Sequence, residues 1–307
     1  ITRRGAWLNR ATQGLYPPGS PYKLVTAVAG LMTGVIDENT VKTCEGGIKV
    51  GTRIFPCNKR SGHGNVNLED AIAHSCNVYF YETALEAGIE ALSSTAKDFG
   101  LDSRTGIELK EDYSRRTVVS DPAYKKKYRP YDGPWTGGDT ANASIGQGYQ
   151  LQTPLQMACM TASLARGETR TRPSIIHDPS RVCGPAYHGG EKLGMKPEHY
   201  KAVIDGMKAA VERGTARRVA IEGVSIAAKS GTAQVPVRGE KLTLAWMVAF
   251  APVENPQIAV AVVVEGEEEG DAAGGRTAGP IARVALKKFF DSSVAPRVAE
   301  NPGESGG

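Results

Sequence analysis

Apolar positions recur with a helical period through the first two-thirds of the chain and crowd into β-branched runs in the last third. In residues 20–33, Leu24, Val28 and Leu31 fall at spacings of four and three, which predicts one buried helical face. Pro21 suits the first helical position, where no N–H partner is needed, so Ser20 is placed at a helix N-terminus. Residues 68–74 and 78–87 predict two short helices with a break at Ser75-Cys76-Asn77, and residues 89–99 predict another. Thr153-Pro154 and Lys196-Pro197 open helices to about Ala165 and Arg213, with Gly214 ending the second. Residues 100–150 read as loop-rich. Residues 43–67 hold Gly, Cys and Lys with few apolar positions. A stretch of that length is too long for an unsupported loop in a packed domain, so something must hold it together.

The final third predicts strands over residues 224–234, 243–251 and 258–265. Pro252 to Pro256 punctuates the last two as an antiparallel hairpin. A closing helix over residues 277–290 is expected to turn Ile281, Val284, Ala285 and Phe289 inward. Residues 291–307 read as a disordered tail. Many helices followed by a late antiparallel sheet predict an α+β fold, one domain over residues 1–290.

Composition changes this picture little. The 307 residues are 40% hydrophobic and 23% charged, as in ordinary globular domains, which excludes collagen-like and coiled-coil chains. The longest apolar run, residues 258–264, is far short of the ~18 residues that span a bilayer. The net charge is +4, and the tight basic cluster at Lys125 to Lys127 lacks the aromatic interleaving of a nucleic-acid surface.

Three short motifs carry chemistry. In Ser20-Pro21-Tyr22-Lys23, positions i and i+3 share a helix face, so the lysine nitrogen can reach the serine oxygen. A serine hydroxyl needs such a base to become a nucleophile. Ser75-Cys76-Asn77 offers a hydroxyl that relays protons and an amide that can pair with a peptide group. Lys229-Ser230-Gly231-Thr232 combines a cation, two hydroxyls and a glycine that admits a ligand to a strand edge. Taken singly, each also reads as a helix cap or a surface lysine. A phosphate loop is excluded at the third motif, because Ala228 stands where glycine must precede the lysine. Gly146-Gln147-Gly148 fails as a dinucleotide loop, since Leu151 replaces its third glycine.

The ordered set S-x-x-K, S-x-N and K-S-G-T resembles that of serine β-lactamases and penicillin-binding proteins. The surrounding segments Tyr16-Pro17-Pro18-Gly19, Gly62-His63-Gly64, Gly138-Asp139-Thr140, Ser144 to Tyr149 and Thr153 to Ala158 resemble the transpeptidase domain of class B penicillin-binding proteins, the elongation type most of all. The resemblance implies the penicillin-binding fold, an antiparallel sheet flanked by helices plus an all-helical lobe. It implies a D-Ala-D-Ala transpeptidase in cell elongation, acylated by β-lactams. Ser20 would be the nucleophile, Lys23 its base, Ser75 and Lys229 proton carriers, and Asn77 the amide holder. Ser230, Gly231 and Thr232 would receive the substrate carboxylate, with backbone N–H groups of Ser20 and Thr232 as the oxyanion hole. It implies peptidoglycan stem peptides, a membrane glycosyltransferase and elongation-complex proteins as partners, and the periplasmic face of a bacterial inner membrane as the location. Only 19 residues precede Ser20, so the family's N-terminal strands, pedestal and membrane anchor are expected outside this chain. A D,D-carboxypeptidase, a β-lactamase and a non-catalytic scaffold stay open as alternatives.

Five cysteines cannot all pair with one another. Cys44, Cys57, His63 and Cys76 make a complete donor set for structural zinc, although the spacings of 12, 5 and 12 residues match no short zinc-finger pattern. Elongation-type relatives often carry a metal near the corresponding Gly-His-Gly, so the resemblance implies zinc here, with His74 as a substitute ligand. A Cys44–Cys57 disulfide and inert thiols are the alternatives. Cys159 reads as core, and Cys183, His177, His188 and His199 have no assigned role.

Overall fold

The computed structural model describes residues 8–111, 119–176, 190–237, 240–266 and 272–294. Helix α1 (Arg10–Gln13) precedes a single 3-10 turn, Ser20–Tyr22, which feeds directly into α2 (Lys23–Thr33). Helix α2 is apolar nearly all round, and Lys23 through Leu31 are all buried, as expected for a central core helix. Four short strands follow: β1 (Lys42–Cys44), β2 (Gly47–Val50), β3 (Arg53–Pro56) and β4 (Gly64–Val66). They form two antiparallel ribbons, β1 with β4 and β2 with β3. These ribbons are what holds the stretch read as loop.

Helix α3 (Leu68–Ala73) is capped by the Asn67 side chain, and α4 (Asn77–Asp98) bends at Gly88, joining the two helices expected on either side. Helices α5 (Pro122–Tyr128) and α6 (Gly137–Ser144) occupy the region read as loop. Helix α7 (Pro154–Arg166) starts with a capping box between Thr153 and Gln156, and α8 (Pro197–Glu212) starts at the expected proline. Strands β5 (Ala227–Val237), β6 (Glu240–Ala251) and β7 (Ile258–Glu265) form one antiparallel sheet in the order β5-β6-β7. A π-helical turn, Gly274–Ala278, leads into α9 (Gly279–Val294).

The alternation of strand β6 divides the interior. Leu244, Trp246, Val248 and Phe250 face the main core with α2, α4 and α7, while Ala245, Met247, Ala249 and Ala251 face α9. The face of α9 differs from the expected one. Ala282 and Leu286 are buried, whereas Ile281 and Val284 are 48% and 69% exposed, and Ala285 is exposed too. Small Ala278 and Ala282 let the helix lie close on the sheet, and that closeness outweighs the larger apolar side chains. The helix also continues to Val294, four residues into the expected tail, whose remainder lies outside the described residues. Among the described residues, no helix is long and apolar enough to cross a membrane.

Candidate active site

Ser20 stands at the mouth of a cleft between the helical lobe and strand β5. Gly19 before it has φ +59°, a left-handed value that favours glycine, and its N–H donates to Gly146 O at 3.0 Å. Trp246 Nε1 donates to Pro17 O at 3.0 Å, so the segment leading to the serine is tied to β6 and to the loop after α6. Gly231 brings β5 onto this turn: a Cβ there would lie 2.3 Å from Pro21 Cδ. The cleft, of about 580 Å³, is lined by Ser20, Ser75, Asn77, Ser230, Gly231 and Thr232. The three motifs therefore converge on one place. Lys23 and Lys229 lie beneath its floor, both 0% exposed.

Ser75 connects the two lysines. Its Oγ lies 3.1 Å from Lys23 Nζ and 2.8 Å from Lys229 Nζ. A hydroxyl donates one proton and accepts others, so it can pass a proton between the two amines. Ser75 has φ +57°, a left-handed conformation in a residue with a side chain, and the α3–α4 break is built around it. Lys23 Nζ also donates to Ser75 O at 2.7 Å and to Asn77 Oδ1 at 2.6 Å. Its hydrogen bonds go to these groups rather than to Ser20 Oγ, the partner expected from the i, i+3 spacing. Catalytic contacts commonly close only with substrate in place. Asn77 Nδ2 donates to Pro56 O at 3.1 Å, which fixes its amide orientation.

Burial draws the Lys23 pKa down to about 7, against an opposing electrostatic pull from the nearby Cys76 and Cys57. Burial, and then the charge of Lys23, hold Lys229 well below the usual lysine value. Lys23 is thus poised to accept a proton near neutral pH. Lys229 Nζ also donates to Ser230 O at 2.9 Å. Ser230 Oγ lies 2.7 Å from Thr215 Oγ1, and Gly274 N donates to Thr232 Oγ1 at 3.3 Å. Thr215 is a cleft residue that sequence reasoning missed. It follows Gly214 just beyond α8, where a lone threonine gives no local signal.

The four candidate metal ligands come together. The ligand atoms of Cys44, Cys57, His63 and Cys76 lie within 4.8 Å of one another. His63 Nδ1 is 3.6 Å from Cys44 Sγ and 3.5 Å from Cys57 Sγ, and Cys57 Sγ is 3.9 Å from Cys76 Sγ. Tetrahedral zinc with bonds of ~2.3 Å to sulfur and ~2.0 Å to nitrogen sets S···S edges near ~3.8 Å and S···N edges near ~3.5 Å. The donor set therefore fits such an ion. Cys44 and Cys57 are free thiols, not a disulfide. His74 stacks on His63 with ring centroids 6.2 Å apart and stands outside the four. The hydrogen bond between Cys57 and Cys76 pulls the Cys57 thiol well below its usual pKa and pushes Cys76 up, and Asn77 N also donates to Cys57 Sγ at 3.2 Å. Cys159 is buried in α7, as expected of core; Cys183, His177 and His188 lie outside the described residues.

The peptidoglycan D,D-transpeptidase MrdA of Haemophilus influenzae is 34% identical over 93% of this chain and 46% of its own length. The chain thus spans about half the length of this curated relative. Among solved structures, penicillin-binding protein PBP2 in complex with MreC from Helicobacter pylori superposes with a TM-score of 0.79 at 32% identity, covering 94% of this chain and 52% of that one. Penicillin-binding protein A of M. tuberculosis, as a ceftriaxone acyl-enzyme complex, gives a TM-score of 0.75 at 29% identity over 93% of this chain and 63% of that one. The penicillin-binding protein transpeptidase domain matches residues 2–287, and with its three motifs gathered at one cleft the chain belongs to that family.

Proposed function

We propose that this chain is the crosslinking domain of an elongation-type peptidoglycan D,D-transpeptidase. The observation that carries the reading is Ser75 Oγ bridging two buried lysines behind the cleft-facing Ser20. Ser20 Oγ attacks the penultimate D-Ala carbonyl carbon of a stem peptide, and Lys23 Nζ takes its proton. The developing oxyanion is held by the backbone N–H groups of Ser20 and Thr232, an arrangement worth several kcal/mol in such enzymes. Ser75, flanked by Lys23 and Lys229, returns the proton to the departing amine, and the terminal D-Ala leaves. Asn77 holds the donor amide, while Ser230 and Thr232 bind the terminal carboxylate. An amine from a second stem then attacks the acyl-enzyme and forms the crosslink. β-Lactams acylate Ser20 by the same first step.

The Cys44, Cys57, His63 and Cys76 cluster holds zinc in this reading, which supplies a structural brace for the Ser75–Asn77 turn and no step of the reaction. The domain acts at the periplasmic face of a bacterial inner membrane, alongside a membrane glycosyltransferase and elongation-complex proteins.

Intact mass after incubation with benzylpenicillin tests the assignment. The expected result is an adduct lasting for hours in the wild type and missing in Ser20→Ala. Loss of the adduct within seconds indicates a β-lactamase, and no adduct indicates a non-catalytic scaffold. Release of free D-Ala without crosslinked product, in the presence of an acceptor amine, indicates a D,D-carboxypeptidase.

A further inference from the structure

A basic, aromatic arm stands beside the cleft. It comprises α5 and the 3-10 turn Pro130–Asp132, and residues 126–134 are exposed without interruption. The arm is nevertheless held in place. Lys125, buried at its base, donates to Pro134 O at 2.9 Å and pairs with Asp139 of α6, also at 2.9 Å. Tyr149 Oη donates to Asp132 Oδ2 at 2.7 Å. The lysines run together in sequence, but the fold sets tyrosines around them. The Tyr124 ring lies 5.1 Å from that of Tyr128 and 6.1 Å from that of Tyr149. Lys127 Nζ is 5.0 Å from the Tyr128 centroid, and the Arg129 guanidinium is 5.9 Å from that of Tyr149. Among the described residues, Lys126, Lys127 and Arg129 form no ion pair, and Tyr131 is 99% exposed. Cations and exposed tyrosines that pack no core are thus fixed in position, the preorganisation of a binding surface.

Two features indicate the occupant. The arm is continuous with the cleft. Asn142, Ile145 and Gln147, on and just after α6, line the cleft, and the arm is pinned both to α6 and to Tyr149, two residues past Gln147. On the transpeptidase reading, on which this inference rests, a stem peptide occupies the cleft. A five-residue stem, fully extended, spans at most ~18 Å, so the sugars of its strand lie just outside the mouth. The second feature is the arm's chemistry. Residues 121–134 contain no Leu, Ile, Val, Phe or Trp, the side chains with which a surface enters a membrane. An uncrosslinked strand is complementary to what the arm does present: its stems end in carboxylates, and its sugar rings offer C–H faces that stack on tyrosine.

We propose that the α5 arm is a docking platform for an uncrosslinked peptidoglycan strand. Tyr128 and Tyr131 stack on its sugars, and Lys126, Lys127 and Arg129 meet the carboxylates of stems outside the cleft.

Binding is measured by fluorescence anisotropy in the Ser20→Ala chain, which cannot turn substrate over. The probes are a labelled uncrosslinked glycan strand with pentapeptide stems, and the labelled free pentapeptide. The strand is expected to bind about tenfold more tightly than the peptide. Tyr131→Ala should weaken strand binding roughly threefold, and Lys126→Gln with Lys127→Gln roughly three- to tenfold, with peptide binding unchanged. With Ser20 restored, both variants should keep the wild-type rate of acylation by benzylpenicillin, which shows that fold and cleft are intact. A strand bound no more tightly than the peptide, or bound equally by wild type and both variants, overturns the proposal. So does a loss of cosedimentation with phosphatidylglycerol vesicles in the variants while strand binding is unchanged, which assigns the arm to a membrane surface. A missing benzylpenicillin adduct in the wild-type chain overturns the transpeptidase reading and this proposal with it, whereas an adduct together with arm-independent strand binding overturns the platform alone.

Discussion

Acylation should fail in acid because Lys23 becomes protonated. An ordinary lysine is uncharged in only about one molecule in a few thousand at pH 7. Burial brings Lys23 from 10.5 down to about 7, which disfavours its cation by about 5 kcal/mol at 1.36 kcal/mol per pH unit. About half of the molecules then hold a neutral base at pH 7. The sign follows from the reaction: only neutral Lys23 can accept the Ser20 proton, so rate is lost as pH falls through about 7. Below that midpoint the second-order rate constant for benzylpenicillin should drop tenfold per pH unit, reaching about a hundredth of its plateau near pH 5. Fluorescent-penicillin labelling from pH 5 to 9, with circular dichroism confirming the fold at each pH, gives the profile. A flat profile, or a rate still climbing tenfold per unit above pH 8, refutes the view that this buried lysine is the base. Lys23→Met should lose acylation across the whole range.

Three other outcomes follow from the geometry. Gly231→Ala places a Cβ 2.3 Å from Pro21 Cδ, so β5 must withdraw from the serine turn and the two oxyanion donors separate. Acylation should fall by about a hundredfold or more, and a rate within threefold of wild type would refute the close-approach argument. Thr215→Val leaves Ser230 Oγ without its 2.7 Å partner. It should weaken binding of carboxylate-bearing ligands by about 1 kcal/mol, read as a roughly fivefold rise in dissociation constant with little change in melting temperature. Native mass spectrometry should find one zinc per wild-type chain and none in Cys44→Ala, with a lowered melting temperature in the variant; a wild-type chain free of zinc after purification with zinc present would refute the metal assignment.

The three motifs that meet at the cleft were legible because each is local in sequence. S-x-x-K needs only one helical turn, and the K-S-G-T run carries the β-branched and small residues of a ligand-facing strand. The helix starts at Pro154 and Pro197 were legible for the same reason, each being marked by a proline at the first turn. What failed depended on distance or on small side chains. Helix α6 reads GGDTANAS, with almost no apolar signal, and only the Thr136–Asp139 capping box betrays it. Helix α9 was rotated because apolar periodicity weighs Ile281 and Val284 above alanines, whereas close packing on a sheet favours the alanines. The ribbons β1–β4 and β2–β3 are strands of three or four residues, too short to show alternation. Thr215 acquires its place only when the end of α8 meets Ser230 across 15 positions.

The tripeptide Ser75-Cys76-Asn77 is read from two sides: its outer members face Lys23, and its middle member faces the other thiols. On the proposed transpeptidase function, selection for drug escape and selection for a sound scaffold would thus fall on adjacent codons. A substitution at Cys76 moves its neighbours Ser75 and Asn77 against Lys23, and one at Asn77 removes the side-chain amide that donates to Pro56 O, next to Cys57, and accepts from Lys23. Fitness effects across these three positions should be strongly epistatic, and mutational routes to resistance through them correspondingly few.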